Sequence, residues 1–218
     1  PWVFSAHFVG ADLLTLGNWL GKYGHVGYCL FHFDDVGTNL THMSNVSDSN
    51  VSPGLVQPAA EVTLFYEANP VHWAPTVTAK GAEDDDDERA LVDPRGVIHS
   101  AAPPPRKLGA WGTENPTACH QSVVIDVKLA SNGTGRRTVS LYLVDWFRRG
   151  AQFAVEAREL PSLELAVPTQ KVTNVSSTGD GVYMTYEVTT SVRFRIMEIT
   201  GDYPRSDADV FVSAVFID

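Results

Sequence analysis

An all-β fold, an antiparallel β-sandwich with long inserted loops, is what this chain of 218 residues predicts. Three observations carry the prediction. Apolar residues recur with period two in several segments, the pattern of strands that bury one face and solvate the other. No long amphipathic helix is evident. Clusters of Ser, Asn, Asp, Gly and Pro separate the apolar runs, as turn and loop chemistry requires.

Taken in order, Trp2–Val9 and Gly27–Phe33 read as strands. Between them Ala11–Leu20 has room for a short helical turn, although Gly17 and Gly21 are poor helix residues. Asp34–Pro58 reads as a polar loop. Glu61–Glu67 is rich in β-branched and aromatic residues and reads as a strand. Ala79–Leu91, with the acidic run Glu83-Asp84-Asp85-Asp86-Asp87-Glu88, and His99–Trp111, with Pro103-Pro104-Pro105, read as further loops. In Ser122–Ala130, Val123, Ile125, Val127 and Leu129 alternate with Val124, Asp126 and Lys128. In Ser191–Ile199, Val192, Phe194 and Ile196 alternate with Arg193 and Arg195. Thr138–Asp145 and Val210–Ile217 are apolar on both faces, as central strands are, and Gly181–Val188 completes the set. The expectation is roughly nine to eleven strands in one domain spanning 1–218, as part of a longer secreted protein.

Composition narrows the function. Hydrophobic residues make up 44% of the chain, enough for a substantial core, and the formal net charge is −10. A nucleic-acid partner or an anionic membrane surface calls for a basic face, so neither is expected. No run approaches the roughly 18 apolar residues of a membrane span, so no membrane insertion is expected.

Asparagine usage points to the secretory route. Asn39, Asn45, Asn50, Asn132 and Asn174 each head an N-x-S/T sequon, where the chain's composition would give about one by chance. Asn115 is disqualified by Pro116. Extracellular or cell-surface localisation is expected. Cys29 and Cys119 then form one disulfide or remain two buried thiols; spacing leaves both open. Closing that loop would stabilise by about 4–5 kcal/mol in the chain-entropy view.

Two segments are dense in side chains that bind ligands. Gly17-Asn18-Trp19-Leu20-Gly21-Lys22-Tyr23-Gly24-His25-Val26-Gly27-Tyr28 interleaves glycines with rings, which either plug the end of a sandwich or offer flat faces to a ligand. Leu141-Tyr142-Leu143-Val144-Asp145-Trp146 is a strand ending in an acid, either a structural tie to Arg95, Arg106 or turn amides, or an acceptor for hydroxyl groups.

Together these segments resemble the GNWxGxYGxxGY and LDW motifs of a β-sandwich module of secreted bacterial proteins, often attached to glycoside hydrolases. The resemblance continues through Asp93-Pro94-Arg95, Arg106, Trp111, Gly181-Val182-Tyr183 and Ser213-Ala214-Val215-Phe216. Phe147 stands where that module has a second acid. The resemblance implies a galactose-binding-like, or jelly-roll, carbohydrate-binding-module fold. With the five tryptophans it makes Trp19, Tyr23, Trp73, Trp111 and Trp146 candidates for stacking on sugar rings, and Arg95, Arg106 and Asp145 candidates for bonding hydroxyls.

The function expected is a non-catalytic module binding a glycan or polysaccharide. The alternative is a structural or adhesion module contacting proteins, including other domains of the parent chain; a hydrolase fragment is the third reading. No GxSxG elbow and no HExxH is present, so catalysis is not expected. No cofactor is expected either. The acidic run raises calcium, but it lacks the ligand intervals and turn glycine of a calcium loop. His32 and Asp34 have a spacing that can serve a metal. His7, His25, His72, His99 and His120 are scattered without ligand spacing.

Overall fold

A computed structural model describes residues 5–31, 40–43, 45–47, 56–66, 97, 111–113, 122–130, 136–145, 152–173, 181–199 and 210–218. Among these residues there is no helix. Fourteen strands fall into two large antiparallel sheets and a small hairpin. They are β1 (Ala6–Asp12), β2 (Gly27–Leu30), β3 (Leu40–Met43), β4 (Asn45–Ser47), β5 (Val56–Pro58), β6 (Ala60–Tyr66), β7 (Trp111–Thr113), β8 (Ser122–Leu129), β9 (Arg137–Val144), β10 (Phe153–Glu159), β11 (Leu165–Val172), β12 (Gly181–Val188), β13 (Val192–Glu198) and β14 (Val210–Ile217).

The seven-stranded sheet runs β1-β12-β9-β14-β2-β3, with β7 also on β14. The five-stranded sheet runs β11-β10-β13-β8-β6, and β4 pairs with β5. Every pairing is antiparallel. The antiparallel β-sandwich expected from the sequence is therefore the fold.

Period two explains why these segments pair as they do. From β8, Val123, Ile125 and Val127 point into the sandwich, as do Phe153, Val155 and Ala157 of β10 and Phe194 and Ile196 of β13. Facing them are Val139, Leu141 and Leu143 of β9, and Val182, Met184, Tyr186 and Val188 of β12. All of these are fully buried, and each large side chain contributes about 1.5–3 kcal/mol by leaving water. A shift of one residue would turn the whole set outward, so burial fixes the register.

The central strand β14 is irregular. Its pairing with β9 slips between Val212 and Ala214. This bulge at Ser213 lets Val212, Val215 and Ile217 face the core, while Ala214 and Phe216 face outward. Among the described residues, neither the buried Ser213 hydroxyl nor the Tyr186 hydroxyl inside the core has a hydrogen-bond partner. Burial pushes the Tyr186 phenol pKa up.

Several expectations need correction. Strands are more numerous than expected. Asp34–Pro58 contains β3, β4 and β5 rather than being loop throughout. The helical turn for which Ala11–Leu20 has room does not form: β1 continues to Asp12, and the chain then turns, with Leu16 at a φ of 48°. The hairpin β10–β11 occupies a stretch in which the sequence predicts no strand. The Ala79–Leu91 loop with its acidic run, the proline run, His32 and Asp34 lie outside the described residues. Among the described residues no helix is long and apolar enough to cross a membrane.

Candidate functional site

The outward face of the seven-stranded sheet is itself apolar, and the glycine-aromatic motif covers it. Tyr142 and Val144 of β9, Tyr183 of β12, Ala214 and Phe216 of β14 and Leu30 of β2 form this second cluster, with Trp19 laid on top. Trp19 sits 5.0 Å from Phe216 and 4.9 Å from Tyr28 between ring centroids. Tyr23 stacks on Tyr183 at 4.4 Å and 6°, and Tyr183 stacks on Tyr142 at 4.4 Å and 21°, so three phenol rings form a column. Residues 13–26 thus form a strap across the sheet.

A carboxylate pins each end of the strap. Where β1 stops, Asp12 accepts hydrogen bonds from the Leu14 and Thr15 amides, at 2.9 and 3.2 Å, the Asx-type geometry that turns a chain out of a strand. It also accepts from Thr15 Oγ1 at 2.5 Å, Lys22 Nζ at 2.6 Å and the Tyr23 hydroxyl at 2.8 Å. Burial alone would raise the Asp12 pKa. The donors on Lys22, Thr15, Leu14 and Tyr23 outweigh that and hold it well below the usual carboxylate range. The Tyr23 phenol moves the other way, raised by burial and by the Asp12 charge.

At the far end, Asp218 follows β14 and accepts from the amides of Gly24 at 3.1 Å and His25 at 2.6 Å. His25 Nδ1 lies 2.7 Å from the same carboxylate. Gly24 has to be glycine: its φ is +74°, and a Cβ there would meet Phe216 at 3.1 Å and Trp19 at 3.3 Å.

The residues singled out in the sequence fare differently. Trp19 is only 3% exposed, so its indole offers no face to a sugar and serves as packing. That corrects its assignment as a stacking residue. Tyr23 is half-buried with its ring column on one side and Lys22 Nζ 5.7 Å from its centroid. Asp145 is buried at the end of β9. Trp111 opens β7, opposite Val212 of β14. Val97, two residues beyond Arg95 in sequence, is buried in the same outer cluster. Trp73, Arg95, Arg106 and Trp146 lie outside the described residues, as do Asn39, Asn50, Asn132 and Asn174; Asn45 opens β4. Cys29 is a buried free thiol that accepts a hydrogen bond from Thr41 Oγ1 at 3.4 Å. Its suggested partner Cys119 lies outside the described residues. Among the described residues no group of three or more His, Cys, Asp or Glu could hold a metal ion.

To the motif's Tyr28 the structure adds His42, which the sequence did not single out. Tyr28 and His42 are direct cross-strand partners of β2 and β3, and both face outward beside the strap. Their rings lie 5.5 Å apart at 33°. His42 is exposed and Tyr28 half-buried, so this pair is the open edge of the aromatic layer whose centre is Trp19. The signal available in the sequence was weak. Tyr28 belongs to the motif, but His42 falls in a segment that reads as loop, and only its pairing with β2 brings the rings together.

Comparison of the chain with protein-family models finds no match. Comparisons with curated proteins and with solved structures find none either.

Proposed function

We propose that this domain is a non-catalytic carbohydrate-binding module of a secreted or cell-surface glycoprotein, with its site on the outer face of the seven-stranded sheet. The observation that carries the reading is the Tyr28–His42 pair, two adjacent rings of which His42 is exposed and Tyr28 half-buried, with buried Trp19 against Tyr28. Sugars present C–H faces that pack on such rings, and the exposed polar residues of the strap, Lys22 and His25, are the candidates for bonding hydroxyls. The five sequons support the secretory setting, and the motif resemblance supports the ligand class.

The test is a glycan array probed with the folded domain and with Tyr28→Ala and His42→Ala variants. The expected result is one defined glycan class whose binding falls about tenfold or more in Tyr28→Ala. A folded domain that binds no glycan overturns the reading. A second reading, a structural or adhesion module contacting proteins or other domains of the parent chain, draws on the burial of Trp19, which makes the motif a packing device. Co-purification of a defined protein partner by a domain silent on the array would support it.

A further inference from the structure

The strap does not cover the whole outward face of the seven-stranded sheet. Under it, Leu30, Tyr142, Val144, Tyr183, Ala214 and Phe216 are buried. Ser140, between Phe216 of β14 and Thr185 of β12 in register, is buried too. A polar stretch stays open at the end of the face where β2 begins and β14 ends. There one transverse row of residues points outward. His7 of β1 pairs with Glu187 of β12, and Glu187 pairs with Thr138 of β9. Thr138 and Asp218 exchange both backbone hydrogen bonds, at 2.8 and 2.9 Å, which carries the row to the end of β14. The chain neighbours of these four (Ala6 and Phe8, Tyr186 and Val188, Val139, Ile217) pack in the core, so alternation turns the four side chains outward.

The row continues the aromatic pair. Tyr28 of β2 lies opposite Phe216, two residues before Asp218 on the same face, and His42 lies beside Tyr28 on β3. From His42 to His7 the aromatic and polar side chains thus cross every strand of the order β1-β12-β9-β14-β2-β3. At the usual spacing between paired strands that is a span of about 24 Å. His7, His25 and His42 are exposed, and Glu187, Thr138, Asp218 and Tyr28 are half-buried. Charge is matched along the row. Glu187 accepts from Arg136 Nη1 at 3.2 Å, and His25 Nδ1 lies 2.7 Å from Asp218. Each acid therefore has a basic partner, and neither sign dominates.

We infer that the ligand of the proposed glycan site is a linear, uncharged oligosaccharide lying across the strands, with rings on Tyr28 and His42 and hydroxyls bonded along Asp218, Thr138, Glu187 and His7. The inference rests on the glycan-binding reading and adds to it a ligand class, a direction and a second subsite centred on Glu187. Direction follows from burial: the strap blocks a path along the strands, while the row leaves one across them. Length follows from the span, which is more than one or two sugar rings cover. Class follows from the matched charges. Carboxylates, a hydroxyl and imidazoles supply the acceptors and donors that sugar hydroxyls need, without the cationic excess that an acidic polymer calls for.

The test titrates the full chain by calorimetry with trimers and hexamers of the cello-, xylo-, manno- and chito-oligosaccharide series, beside Tyr28→Ala, His7→Ala and Glu187→Ala variants, each checked for folding. At least one hexamer should bind about tenfold or more tightly than its trimer. Glu187→Ala should lose about tenfold for that hexamer and so close its advantage over the trimer, whereas Tyr28→Ala should weaken both. Hexamer affinity should change less than about twofold between about 50 and about 300 mM salt, because an uncharged ligand is not screened. A hexamer that binds no more tightly than its trimer overturns the inference. So does wild-type hexamer affinity in both Glu187→Ala and His7→Ala, or a steep loss with salt. If no hexamer binds, the inference falls, and the glycan array tells whether the reading falls with it: binding of a single terminal sugar or of an acidic glycan keeps the reading, and silence overturns both.

Discussion

Gly181 lies against Tyr142 so closely that a Cβ at 181 would meet the phenol oxygen at 2.7 Å. The two residues sit on neighbouring strands, and Tyr142 is the base of the ring column that carries Tyr183 and Tyr23. Gly181→Ala should therefore tilt Tyr142 out of the column and destabilise the domain by about 1–3 kcal/mol, an overpacking cost. Urea unfolding measures it. An unchanged midpoint would mean that Tyr142 moves aside freely.

The Tyr186 hydroxyl is buried in the sandwich core without a partner among the described residues. An unmatched polar group costs about 1–3 kcal/mol when buried. Tyr186→Phe removes it and keeps the ring that packs on Phe8 and Phe194, at 5.2 and 5.1 Å. The variant should be as stable as the native chain or up to about 2 kcal/mol more stable. A clear loss in thermal midpoint would show that the hydroxyl has a partner.

Asp12 gives the strap a defined acid sensitivity. Its folded pKa is lowered from the ordinary value of 3.8, so the stabilisation it provides is complete above that value and drains away as pH falls towards the folded pKa. Asp12→Asn should lower stability at neutral pH, where Lys22 loses its counter-charge, and make stability less dependent on pH below about 4. Unfolding midpoints of both proteins across pH 2–7 test this. Parallel curves would show that Asp12 contributes nothing to the acid transition.

Cys29 is a free thiol whose pKa burial pushes up, against a smaller opposing effect of the Thr41 hydrogen bond. Only the thiolate alkylates, so Cys29 should resist iodoacetamide in the native protein and react once urea exposes it, without reductant. Peptide mapping reads this directly. A Cys29 peptide that stays unlabelled until a reductant is added would identify a disulfide instead.

Period two made most of the sandwich legible. Ser122–Leu129, Gly181–Val188 and Val210–Ile217 form where alternating or continuous apolar runs place them. What escaped had weak patterning. The segment Leu165–Val172 contains Pro168 and a polar stretch, which suits an edge strand but carries little periodic signal. β3 to β5 are short, and tertiary pairing rather than local preference makes them strands. The site was half legible. The motif identified the strap, but composition could not separate the ring that packs, Trp19, from the one that reaches solvent, Tyr28, because that depends on which strand lies beneath each. Asp12 and Asp218 escaped for a similar reason: beside its local turn donors, Asp12 is bonded by Lys22 and Tyr23, 10 and 11 residues away, and Asp218 by Gly24 and His25, 194 and 193 residues away.

The strap carries an order of events for a chain made from its N-terminus. Its rings and its first carboxylate emerge early, but Phe216 and Asp218, on which it closes, lie on and just after β14, at the opposite end of the described sequence. Until β14 inserts between β9 and β2, the floor of the aromatic face lacks Ala214 and Phe216, and Trp19 lacks one of the two rings it packs on. A nascent chain therefore displays a sticky aromatic segment until β14 has been made, and closure of the strap reports that the central strand has arrived. Folding assistance would act in that interval, before the latch engages.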